Sequence, residues 1–480
     1  MAPVRGNRAG AFFIFRSTPT TPSLGTLIMQ RRSSRDSFVQ KTLMALAIAN
    51  LGLPMIASAD PLENLPYAIS GGAPNLDMRL RYENVDQELP ATITEKASAT
   101  TLRSRLGYTT GKWNNVDAQL EFENVTVLGK DNFNGTDNNQ GNRRAAYPVV
   151  ADPETSEINQ AWLRYAAPAK TTLKVGRQRI IFDNARFIGN VGWRQHEQTY
   201  DGVLLTNAFL PKTTLNYAYI RNVYAFRVFN HSNTGVAPDL SPNRGIDGHL
   251  VNFAFAPYKA LALTAYGYLL DFDTNPVVAA AAAAGAPAPI APGNPTGDSQ
   301  TIGLRVTGTV PVQDFNLSYA LEYADQSDYA DAPDTVDASY TLAELGASYK
   351  VFGLKLGYEV LGGDGTYGFQ TPLATMHAHD GWADMFLTTP ATGLERLYLQ
   401  ASATVEKVVL TAVYHQFSAD EGGDDYGDEF DLMATRPLTD QLGIGLKYAS
   451  YSGDSDAPVA ATSPIRDDVS KYWAWIEYKF

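Results

Sequence analysis

From Asn75 onward the chain alternates between apolar and polar residues. In "NLDMRLRYENV" (75–85), Leu76, Met78, Leu80 and Tyr82 fall on one side, and Asp77, Arg79, Arg81 and Glu83 on the other. "TLRSRLGY" sets Leu102, Leu106 and Tyr108 against Arg103 and Arg105. "VDAQLEFE" sets Val116, Ala118, Leu120 and Phe122 against Asp117, Gln119, Glu121 and Glu123. Successive side chains on a strand point to opposite faces, so each segment predicts a strand with one oily and one charged face. Helical periodicity is almost absent.

A soluble sandwich would alternate in the same way, but the connections separate the two architectures. Short links fall at 111–114, 167–170, 207–212, 256–259, 311–314, 351–353, 405–408 and 437–440. Long links fall between them, at 128–156, 181–197, 221–246, 271–298, 324–337, 362–394 and 418–427, with two more at 86–96 and 452–468. Short turns on one rim and long loops on the other are the pattern of an outer-membrane barrel. The series predicts an all-β fold, a transmembrane antiparallel β-barrel of 18 strands with both termini periplasmic. The strands run about 9–11 residues, enough to cross a bilayer when tilted. "YAFRVFN" (224–230) has to be left inside a loop to keep this parity. The last stretch, "SKYWAWIEYKF", alternates up to Phe480. It is similar to the terminal strand by which barrels are handed to the outer-membrane assembly machinery.

Composition narrows the picture. The 480 residues contain no cysteine, which excludes disulfides and thiolate metal sites. A net charge of −13 argues against nucleic acid as a partner. Residues 1–59 form an N-terminal extension and signal peptide: Lys41 precedes an apolar run, Leu43–Ala59, that ends in Ala57-Ser58-Ala59, with cleavage expected after Ala59. Met29 is an alternative start to Met1. The extension holds seven basic residues and one acid, so its removal takes the net charge to −19. Residues 60–74 read as a short periplasmic lead-in and 75–480 as the barrel. The alanine- and proline-rich tract 277–292 suits a surface insertion.

Two longer stretches, "VGRQRIIFDNARFIGNVGWRQHEQTYDGV" (175–203) and "FQTPLATMHAHDGWADMFLTTPATGLE" (369–395), resemble signatures of the alginate export porin family. "RLRYENVDQ", "TLRSRLGYTTGKW" and "ADPETSEINQAWLRY" resemble it more weakly, and Ala185 and Met385 stand where Gln and Lys are expected. The resemblance implies an 18-stranded outer-membrane barrel with an arginine-rich channel and loops folded over or into it. The family's name is a poor guide to cargo.

With the oily face against lipid, parity turns Arg79, Arg81, Arg103, Arg105, Arg164, Arg305 and Arg396 inward, with Lys174, Glu121 and Glu123 among their neighbours. An arginine at the lipid midplane would cost about 2–4 kcal/mol. Two readings of this wall stay open: an anion filter, or a salt-bridge network with little net field. Replacing Arg103 and Arg105 with Ala is expected to weaken any anion preference. Arg177 and Arg179 break the parity; a bulge at Gly176 that turns them inward is the favoured resolution, and a place at the outer rim is the other. Arg177, Arg179, Arg186, Trp193, Arg194, His377 and Trp382 are the candidates for inward-folded constriction loops. His377, His379 and Asp380 read as polar contacts rather than a metal site, and "DEGGDDYGDEFD" (420–431) reads as a solvated acidic loop. No catalytic site, cofactor or metal is expected. The function read from the sequence is passive diffusion or export of a polar, anionic solute or polysaccharide across the bacterial outer membrane. The expected surroundings are outer-membrane lipid and lipopolysaccharide. The alternatives are a structural or adhesin barrel and a lipid-active enzyme.

Overall fold

The computed structural model describes residues 64–129, 132–135, 144, 146–224, 243–273, 293–294 and 296–480. The expected leader, the piece of "YAFRVFN" after Tyr224 and the alanine-rich tract lie outside them. A short helix, α1 (Leu65–Ser70), precedes 18 strands. They are β1 (Ala73–Asp86), β2 (Ala97–Thr109), β3 (Val116–Val127), β4 (Thr155–Ala167), β5 (Thr171–Gln178), β6 (Thr199–Asn207), β7 (Thr213–Tyr224), β8 (Asn243–Tyr258) and β9 (Leu261–Phe272). The series continues with β10 (Ser299–Val312), β11 (Phe315–Ser327), β12 (Asp337–Tyr349), β13 (Phe352–Leu361), β14 (Leu394–Val405), β15 (Val408–Ser418), β16 (Asp425–Pro437), β17 (Leu442–Gly453) and β18 (Val469–Lys479). Each strand pairs antiparallel with its neighbours in sequence, and β1 also pairs with β18, so the sheet closes. Closure leaves no edge with unpaired N–H and C=O groups facing lipid.

The short turns are tight enough to force residues other than glycine to positive φ. Ala169 and Lys170 lie at +54° and +52°, and Glu406 and Lys407 at +47° and +68°. Two positive φ values in a row make the turn whose twist matches that of the flanking strands. The burial pattern follows the sequence parity. Arg103 is 1% exposed where Leu106 is 59% exposed, and Glu121 is 2% exposed where Phe122 is 52% exposed. Exposed aromatic residues gather at two heights. Phe209, Tyr258, Phe315, Phe352, Tyr478 and Phe480 ring the short-turn rim, and Tyr82, Tyr323, Tyr358, Tyr414, Phe430 and Tyr472 ring the other. Such girdles mark the two membrane interfaces.

The lumen differs from a uniformly polar interior. Loop 3 (179–198) and loop 7 (362–393) fold into the barrel and bring an apolar core with them. Phe187 packs against Tyr266 and Tyr340 at ring distances of 5.1 and 5.2 Å, and Phe386 against Phe417 at 4.6 Å. A loop taken out of water has to bury apolar surface to hold its place, and here the inward faces of β9, β12, β15, β16 and β17 supply it.

Candidate functional site: a clamped waist above a basic vestibule

Loop 3 reaches the inward faces of β1–β4. Arg79 donates to Gln195 Oε1 at 2.9 Å and to the Arg194 carbonyl; Arg81 donates to the Trp193 carbonyl at 2.8 Å and pairs with Glu83 and with Asp152 of the preceding loop. Arg194 pairs with Glu83 at 3.0 Å and with Asp384 of loop 7 at 3.1 Å. Arg105 pairs with Glu123 and lies 3.7 Å from Glu197. Arg179 pairs with Glu197 at 2.5 Å and Glu121 at 3.0 Å. On the opposite wall Arg186, fully buried, pairs with Glu359 at 2.8 Å and Asp380 at 2.9 Å, and Arg396 shares Glu359. These contacts bind the two loops to the wall and to each other. At the centre Trp193 stacks on His377 with ring centres 3.3 Å apart.

His377 donates from Nδ1 to Asp384 at 2.7 Å and accepts from Lys447 at Nε2. Burial, reinforced by the Lys447 charge, pushes its pKa well below the usual value, so the ring is neutral. His196 behaves in the opposite way. Burial disfavours its charged form, but Glu123, 2.7 Å from Nδ1, and Glu157 outweigh burial and raise its pKa to about 9. Glu123, Glu157 and His196 present ligand atoms within 4.8 Å of one another. As a charged ring already bonded to Glu123 and to the Pro153 carbonyl, His196 has no free ligand atom to offer. His379 bonds the Asn184 carbonyl at 3.2 Å, and Asp380 holds Arg186, so these two serve loop–loop contacts.

The remaining candidates lie elsewhere on the wall. Arg103 contacts Asp77 and, at 3.1 Å, Glu477; Arg164 takes Asp117; Arg305 takes Glu322. Lys174 sits 4.4 Å over the Trp162 ring. Trp382 lies 3.8 Å beneath the Lys447 ammonium. Two expectations need correction. The pairing of β5 runs without a register shift, so no bulge forms at Gly176, and Arg177 keeps the outward parity of Val175. It pairs there with Asp201 at 2.7 Å and stacks on Tyr224, in a strand rather than a constriction loop. Arg179 turns inward because β5 ends at Gln178. Gly176 is needed all the same: at φ +119°, an added Cβ would lie 2.2 Å from the Ala161 carbonyl. The bulges sit opposite other residues, near Asn159 and Arg221. Second, only part of the acidic run 420–431 is solvated, because Glu429 and Asp431 are 1% and 0% exposed on the inward face of β16.

Below the waist, toward the short-turn rim, lies a cavity of about 420 Å³. Arg79, Arg81, Lys447 and Glu477 supply its charges, and Trp193, Trp473, Trp475 and Met433 much of its wall. Arg436, at the rim, shares the outward parity of Phe430 and Leu432. Glu477 is engaged by Arg103 and Lys479. Among the described residues no carboxylate lies within 4.0 Å of Arg79 or Lys447; Arg79 has carbonyl acceptors and Lys447 a neutral imidazole. Sequence parity turns Lys447 inward with Lys174 and Lys355 but does not show that it lacks a carboxylate partner. Its isolation depends on which residues loop 7 brings beside it.

A closed 18-stranded barrel with aromatic girdles and loops folded into its lumen is an outer-membrane porin. Residues 75–359 match the alginate export family profile, and the chain belongs to that family. Solved porins share the fold at low identity. Pseudomonas aeruginosa OpdK, solved with vanillate, is 14% identical, with a TM-score of 0.62 over 86% of this chain and 99% of OpdK. Acinetobacter baumannii OccAB4 is 11% identical, with a TM-score of 0.61 over 85% and 98%, and OccAB2 is 17% identical, with 0.61 over 86% and 99%. No curated protein sequence matches significantly. The chain is thus a channel for solute passage in the bacterial outer membrane.

Proposed function

We propose that the channel passes small anionic solutes down their gradient and carries out no reaction on them. One observation carries this reading: two inward cationic side chains, Arg79 and Lys447, line one cavity and have no carboxylate partner among the described residues. A low-dielectric wall focuses such a field and raises the local anion concentration. A small solute suits the waist better than a polysaccharide, because loops 3 and 7 occupy the lumen there. The outward Arg177 at the rim is suited to lipopolysaccharide phosphates, and the alternating end at Phe480 to the barrel assembly machinery. The reversal potential of the protein in a planar bilayer under a KCl gradient tests the proposal. Chloride preference is expected, and potassium preference would overturn it.

A further inference from the structure

Resting on that reading, we infer that the vestibule is a binding site for a planar aromatic monocarboxylate. Three indoles line one cavity. Trp193 and Trp473 meet edge to face with ring centres 6.2 Å apart. Trp475 lies flat against the wall because its cross-strand neighbour is Gly445, where an added Cβ would meet the ring at 2.0 Å. Its other face is thereby left to the cavity. Lys447 lies 5.4 and 5.5 Å from the Trp193 and Trp473 ring centres, so a charged partner for an anionic head stands beside the aromatic walls.

The lining bears on the ligand's body. Met433 and Pro437 offer no side-chain hydrogen bonds, and Thr435 is the one hydroxyl, so the many hydroxyls of a sugar acid would go unmatched. A flat ring carrying one negative charge matches both halves of the wall. About 420 Å³ is of the size that small-molecule sites occupy.

The test is block of chloride current by benzoate added on the short-turn side, with cyclohexanecarboxylate, glucuronate and benzyl alcohol for comparison. Benzoate is expected to block at about fivefold lower concentration than cyclohexanecarboxylate, the preference of a stacked ring pair. It is expected to block at about tenfold or more below glucuronate and benzyl alcohol, each of which lacks one half of the match. Trp475→Leu and Lys447→Gln should each raise the benzoate concentration needed, and benzoate should quench the tryptophan fluorescence of the wild-type protein. Equal block by benzoate and cyclohexanecarboxylate, or no block by benzoate in a chloride-selective channel, overturns the aromatic site and leaves the anion channel standing. A potassium-selective wild type removes the reading beneath it.

Discussion

The waist and the vestibule are built from the same residue types, meet on β1 at Arg81 and Arg79, and differ in how their charges are matched. In the waist Arg81, Arg105, Arg179, Arg186, Arg194 and Arg396 each meet a carboxylate. In the vestibule Arg79 and Lys447 do not. Adjacent arginines can therefore differ in the field they leave. Arg81 and Arg79 both fasten loop 3, but Arg81 is matched by carboxylates and leaves little field behind. Arg79, held by an amide and a carbonyl oxygen, keeps its field for a solute. On the proposed function, the two readings of the arginine wall left open by the sequence apply to different places in the barrel.

The largest effect that would break this contrast comes from removing one waist partner. Arg186→Ala leaves Asp380 buried without its cation and Glu359 with Arg396 alone, which should cost about 3–5 kcal/mol of loop docking. Limited proteolysis should then cut loop 7, and single-channel conductance should rise. Unchanged conductance and protection would show that the loops are held by their apolar core alone.

A pair deletion sharpens the contrast. Arg105→Gln alone should destabilise the folded barrel by about 3 kcal/mol, since Glu123 and Glu197 lose a buried partner. Adding Glu123→Gln should recover part of that loss in urea titrations of the barrel in micelles. If the two losses simply add, the pair is not the unit of the network.

Acidity should separate the two histidines. The His377 pKa is depressed in the fold, so the unfolded chain binds more protons between that value and about 6.5. Its contribution is complete above about pH 6.5 and is lost as pH falls below it. The His196 pKa is raised to about 9, so its contribution is complete below about pH 6.5 and is lost as pH rises through about 9. Amide exchange at 376–384 should therefore accelerate in acid, and exchange at 193–198 in base. The same response at both sites would contradict the assigned ring charges.

The smallest effect is expected at Arg177. Its pair with Asp201 lies on the outer wall and is partly exposed, so Arg177→Gln should change stability by about 1 kcal/mol or less. Channel selectivity should not change at all.

Much of this fold was legible in the sequence. Strand number, the turn–loop alternation and the inward arginines follow from a two-residue period and from bilayer physics, both of which act locally. The course of β5 was not legible. Gly176 signals an unusual backbone, but whether it makes a bulge or only a close approach to Ala161 depends on the partner strand. The candidate site was legible by residue type and not by partnership. Parity turns Arg79 and Arg81 the same way, yet which of them meets a carboxylate is decided by Asp152, Gln195 and the Arg194 carbonyl, all on loops. The apolar filling of the lumen was missed for the same reason, because a period measures faces and not what folds against them.

The central claim is that selectivity arises in the vestibule. It is tested most directly by reversal potentials at about 0.1 M salt, where screening reaches about 10 Å. Three proteins are compared: wild type, Arg79→Gln with Lys447→Gln, and Arg105→Gln with Glu123→Gln. The account predicts chloride preference in the first and third and its loss in the second. Loss in the third with retention in the second would contradict it.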